Sequence, residues 1–241
     1  SVIAEPSQLK VAAGGEATMQ VELFNEGVQV AHYGLAIDGL DDAWISLPDE
    51  AVQLMPGDSA TLPVTLHPPR ESSARSGPHK FRLQVVSESK QLASVSCVLF
   101  VEPFVEFALD LQPSQVGNGH TARLQVRNNG NAPATLAIGA RDPAEAVRFE
   151  IKERTLSLPP GTAETVPIGI EARRRPLVGT TRTLPFEVAV KDGRDKVRKQ
   201  AGQLQVSPRI PSAILPLLGF LLLLCGGAAA FALAQINDQN A

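Results

Sequence analysis

The chain has 241 residues, a formal net charge of −3, and 44% apolar but only 5% aromatic residues. Its two cysteines, Cys97 and Cys225, are far apart and Cys225 sits in an apolar run, which excludes a disulfide-stapled module. No basic stretch is interleaved with aromatic residues, which excludes the usual surface for single-stranded nucleic acid. The charge is divided unevenly. Residues 1–103 carry 6 Lys/Arg against 13 Asp/Glu, or −7, and residues 104–211 carry 16 against 11, or +5. The first half is therefore acidic and the second basic.

From Val2 to Phe100 the pattern predicts short strands. Met19, Val21 and Leu23 alternate with Gln20, Glu22 and Phe24, the period of a half-buried strand. Asn25, Glu26 and Gly27 break it, as expected of residues that tolerate positive φ. Further strands are expected at Ala31–Ile37, Trp44–Leu47, Thr61–Leu66, Lys80–Val86 and Ala93–Val101. Pro48, Pro56 with Gly57, Pro68 with Pro69, and Gly77 with Pro78 punctuate them. Strands of this length, separated by turns at this spacing, predict a β-sandwich.

The same order then repeats. Pro6-Ser7-Gln8-Leu9 recurs as Pro113-Ser114-Gln115-Val116, and Asn25-Glu26-Gly27 as Asn128-Asn129-Gly130. Leu54-Met55-Pro56-Gly57 recurs as Leu158-Pro159-Pro160-Gly161, and Phe81, Leu83 and Val85 as Phe186, Val188 and Val190. The offset stays between 103 and 107 residues, too long for a solenoid repeat, so it indicates a tandem domain duplication. The boundaries this implies are 1–103 and 104–211. A Pro-led first strand, an alternating strand ending in Asn-x-Gly, and Leu-x-Pro-Gly before another alternating strand resemble bacterial Ig-like domains of the NPCBM-associated type. That resemblance implies seven-stranded sandwiches that serve as spacers or adhesive modules, with no shared catalytic residues to carry over.

The linker Val101–Phe107 has no Gly/Ser run and contains Pro103, so a semi-rigid junction is expected. Pro208 and Pro211 mark a second junction. Beyond it no Lys, Arg, Asp or Glu occurs between Arg209 and Asp238. At about 1.5 Å per residue, a helix over 212–234 spans roughly 34 Å, enough for a hydrocarbon core of about 30 Å. The expected architecture is thus all-β, two tandem Ig-like β-sandwiches, followed by a single transmembrane α-helix and a short tail, 235–241. Gly219, Gly226 and Gly227 are candidate helix-packing positions, because small residues let helix backbones approach closely.

Chemistry is harder to find. The sequence holds no Gly-x-Ser-x-Gly elbow, His-Glu-x-x-His, Cys-x-x-Cys or phosphate loop, so no enzyme, cofactor or metal site is expected. His32, His67, His79 and His120 are scattered, and only His67 and His79 flank one expected loop. Asp38, Asp41 and Asp42, with Asp49 and Glu50 beyond, offer oxygen ligands but match no EF-hand spacing. Trp44 and Tyr33 are the two large amphipathic aromatics, and Trp44 lies in an apolar run that argues for the core. Arg173, Arg174 and Arg175 stand out. They fall between strands E and F of the second sandwich, at the end from which strand G leaves toward the helix, and so face anionic lipid or an acidic partner.

These features predict a non-enzymatic scaffold or interaction subunit at the bilayer, contacting protein partners within a larger membrane complex. The alternative is an extracellular adhesive or glycan-binding envelope module. Arg194, Lys196, Arg198, Lys199 and Arg209 precede the apolar span and no basic residue follows it in Gln235–Ala241, which favours the sandwiches on the cytoplasmic side. The extracellular face is the close competitor, from the habit of the resembling family.

Overall fold

The structure is a computed structural model, and it describes residues 1–87 and 90–211, together with Pro216, Gly219, Phe220, Leu221, Leu223, Cys225 and Gly226. The first repeat contains β1 (Val2–Glu5), β2 (Gln8–Ala12), β3 (Ala17–Phe24), β4 (Ala31–Asp38), β5 (Ile45–Ser46), β6 (Val52–Leu54), β7 (Ser59–Leu66), β8 (Gly77–Ser87) and β9 (Lys90–Glu102). They form two sheets, ordered β1-β3-β7-β5 and β2-β9-β8-β4-β6. This is the A-B-E-D and A′-G-F-C arrangement of an Ig-like sandwich, with one added edge strand. β2 runs parallel to β9, while β3 with β7, β4 with β8 and β8 with β9 are antiparallel.

The second repeat contains β10 (Phe107–Gln112), β11 (Gln115–Gly117), β12 (His120–Asn128), β13 (Ala134–Arg141), β14 (Val147–Ile151), β15 (Thr155–Leu158), β16 (Ala163–Ala172), β17 (Val178–Gly179), β18 (Arg182–Asp192), β19 (Val197–Val206) and β20 (Ile210–Pro211). Its two main sheets run β10-β12-β16-β14 and β11-β19-β18-β13-β15, the same order strand for strand. β11 again lies parallel to β19. Among the described residues, each sheet takes its strands from one repeat only. Glu5–Pro6 and Gln112–Pro113, at matching positions, are both cis.

Alternation explains the cores. Met19, Val21 and Leu23 are fully buried between exposed neighbours, and so are Ala122, Leu124 and Val126 in the second repeat. Val64 and Leu66 correspond to the buried Ile168 and Ile170, and Leu99 and Val101 to the buried Leu204 and Val206. By packing, the chain divides into two compact units that do not follow the repeat boundary. The first takes Ser1–Ala108 with Val126–Leu136 and Thr155–Glu164, and the second takes Leu109–Gln125, Ala137–Arg154 and the residues from Thr165 on.

Two local expectations are corrected. The strand expected at Trp44–Leu47 begins instead as a 3₁₀ turn, Asp42–Trp44, capped by the Asp41 carboxylate accepting from the Ala43 N–H, and only Ile45–Ser46 is strand. The Asn-x-Gly turns are not built on positive φ, since Asn25, Gly27, Asn128 and Gly130 all stay outside that region. Positive φ is used at the Leu-x-Pro-Gly turns, by Gly57 (φ 84°) and Gly161 (φ 76°).

No helix among the described residues is long and apolar enough to cross a membrane. The span expected over 212–234 lies for the most part outside the described residues, as does the tail 235–241. Its described members are helical, with Phe220, Leu221 and Leu223 exposed.

Candidate interaction surface of the second unit

Arg173, Arg174 and Arg175 follow β16, and the chain then turns through Pro176 into the two-residue β17. β17 pairs in parallel with β20, Val178 against Ile210 and Gly179 against Pro211. The Arg209 N–H donates to the Pro176 carbonyl at 3.1 Å and the Ile210 N–H to the Leu177 carbonyl at 2.8 Å. The Arg175 Nε donates to the Ser207 carbonyl at 2.8 Å, and the Arg173 Nε reaches the Val147 carbonyl at 3.4 Å. The arginine loop is thereby stitched to residues 207–211, the last stretch before the apolar run. Sheet topology dictates this placement: β18 and β19 are antiparallel, so the loop entering β18 lies at the end from which β19 leaves.

All three arginines and Arg209 are exposed. Among the described residues, no ion pair involves any of the four. Between and beside them stand aliphatic side chains that the sequence reading missed: Leu177 is 65% exposed, Val178 44% and Ile210 40%. The signal was available in Leu177-Val178, an apolar pair set inside a polar loop.

Other candidates disperse. Asp38, Asp41, Asp42, Asp49 and Glu50 are all exposed, and Asp41 is occupied as a cap. Among the described residues, no group of three or more His, Cys, Asp or Glu side chains is placed to hold a metal ion. His79 bonds the Arg75 carbonyl at 2.7 Å and meets Trp44 edge-on, ring centroids 5.3 Å apart. Trp44 is buried, as its apolar neighbours implied, and the Tyr33 hydroxyl donates to Asn25 Oδ1. Among the described residues, nothing lies within 4 Å of a Cβ built on Gly219 or Gly226, and Gly227 lies outside the described residues.

Cys97 is buried opposite Phe81 in the core, and burial pushes its thiol pKa up, which disfavours the thiolate. Among the described residues, the lining of a groove on the second unit, which includes Asp110, Ser114, Thr121 and Arg123, holds no histidine or cysteine to act as a base toward its hydroxyls.

No family model and no curated protein matches the chain. Solved structures do. A protein of unknown function from Porphyromonas gingivalis W83 is 15% identical, with 85% of this chain and 99% of that one covered, at a TM-score of 0.31. The Yersinia pseudotuberculosis adhesin InvE is 12% identical over 85% of this chain and 58% of its own, at 0.35. The D0–D1 domain of intimin is 10% identical over 85% and 97%, at 0.31. Likenesses of this strength assign neither family nor function. The strand order itself defines the class: an all-β chain of two tandem Ig-like sandwiches.

Proposed function

We propose that this chain is a membrane-anchored, non-enzymatic interaction subunit, whose Ig-like sandwiches present surfaces to partner proteins beside the bilayer. The observation that carries the reading is the uncharged apolar stretch Ser212–Ala234, which begins directly after β20. The resemblance of the turn residues to NPCBM-associated Ig-like domains supports a binding or spacing role in place of catalysis. Extraction of membranes with alkaline carbonate tests the anchor. The full chain is expected to stay in the pellet and a chain ending at Pro211 to be released; release of both refutes the anchor.

The alternative is an extracellular adhesive or glycan-binding module. Burial of Trp44 and the engagement of the Tyr33 hydroxyl by Asn25 weigh against a sugar face built on those two rings. The side of the membrane separates the two readings, and charge favours the cytoplasm for the sandwiches.

A further inference from the structure

We propose that the loop from Arg173 to Gly179, together with β20, is a seat for anionic lipid. Leu177, Val178 and Ile210 enter the headgroup layer, and Arg173, Arg174, Arg175 and Arg209 meet lipid phosphates. The proposal rests on the membrane anchoring proposed above and names the ligand of that pole.

Three observations converge on it. The pairing of β17 with β20 holds the patch next to Ser212, and at about 3.3 Å per extended residue Ile210 lies within roughly 7 Å of the start of the apolar run. An anchored chain would therefore bring this face to the bilayer surface. Aliphatic side chains are then left uncovered among arginines, Leu177 at 65%, Val178 at 44% and Ile210 at 40% exposure, the mixture that interfacial binding uses. Finally, the arginines have no carboxylate partner among the described residues. Their tethers run from the Nε of Arg173 and Arg175 to backbone carbonyls, leaving the outer guanidinium nitrogens for bidentate contact with phosphate.

An acidic protein would also suit the charge. A stable protein interface, however, needs about 800 Å² per partner, whereas three aliphatic side chains on a loop and the short strand pair it leads into suit shallow insertion. Each basic residue near an anionic surface is worth about a fivefold gain in affinity, so the cluster should respond steeply to lipid charge and to salt.

The full chain, carrying Cys225→Ser and a fluorophore at Thr180→Cys, is reconstituted into discs of phosphatidylcholine, with or without phosphatidylglycerol. Quenching by lipids bearing a spin label near the headgroup reports insertion. Quenching is expected to be about threefold or more stronger with phosphatidylglycerol, and to fall in about 0.5 M salt, where screening lengths shrink to a few Å. Leu177→Ser with Val178→Ser should lower it, and so, separately, should Arg173→Gln, Arg174→Gln and Arg175→Gln combined. Equal quenching in both lipids and in both variants overturns the seat and leaves the anchor standing, with an acidic protein as the ligand class.

Carbonate extraction of the same discs reads the anchor independently. Should the chain wash out, the seat is judged with the chain added to preformed phosphatidylglycerol vesicles. Salt-sensitive binding that both variants lose supports it, and binding indifferent to them overturns it.

Discussion

Asn25 and Asn128 are the residues on which each sandwich corner turns. Asn25 Nδ2 donates to the carbonyls of Gln29 and Leu54, and its Oδ1 accepts from the Gly27 N–H. Asn128 makes the same three bonds, to Ala132, Leu158 and Gly130. Both side chains are buried, at 1% and 0% exposure, so a truncated amide leaves backbone groups unsatisfied away from water. Asn128→Ala is expected to lower unfolding stability by about 2–3 kcal/mol. Asn128→Asp, though isosteric, should be no better, because it keeps the acceptor for Gly130 but turns a carboxylate toward two carbonyls. Urea unfolding of both variants checks this, and a near-neutral Asp variant would contradict it.

Glu187 offers a second test at this scale. The hydrogen bond from Arg141, and then the charge of Lys199, hold its carboxyl below the usual range. A folded pKa below the unfolded one adds stability above the ordinary carboxylate pKa, and that stability is lost as pH falls through the folded value. The pair is exposed, so solvent screens the effect and little stability is at stake. Arg141→Gln should move the Glu187 titration upward in NMR while leaving the unfolding midpoint nearly unchanged.

Between elements, the F and G strands show how one fold accepts different residues. In the second repeat Phe186 lies opposite Gly202, and a Cβ on Gly202 would sit 2.3 Å from the Phe186 ring. In the first repeat the corresponding pair is Phe81 and Cys97. Gly202→Val should therefore cost about 1–3 kcal/mol by overpacking, measured as a fall in the urea midpoint with an unchanged slope. The pairing of β17 with β20 has no counterpart among the described strands of the first repeat. It takes the arginine loop from an ordinary E–F connection to a position beside the chain's exit toward the apolar run.

At the scale of the molecule, charge and order combine. An acidic repeat is followed by a basic one, and the basic one adjoins the apolar span. With the sandwiches in the cytoplasm, a cysteine placed at Ser73 in a Cys97→Ser, Cys225→Ser chain should resist a membrane-impermeant thiol reagent on intact cells and react after permeabilisation. Labelling of intact cells would place the sandwiches outside and favour the adhesive alternative.

Alternation and the recurrence of the same turn residues in the same order made the two sandwiches legible in the sequence. Met19-Val21-Leu23 and its repeat at Ala122-Leu124-Val126 encode which face is buried, because side chains alternate along a strand. The apolar, uncharged run after Pro211 was equally plain. Tertiary structure alone decided the rest. It converted Asn25 and Asn128 from expected positive-φ turn residues into buried bridges, a role that depends on carbonyls 29 and 30 residues away. It placed Asp41 as a cap and Trp44 in a 3₁₀ turn, where local alternation suggested a strand. It also set Leu177, Val178 and Ile210 beside the arginines, because a parallel pairing across more than thirty residues of sequence leaves no local periodicity to read.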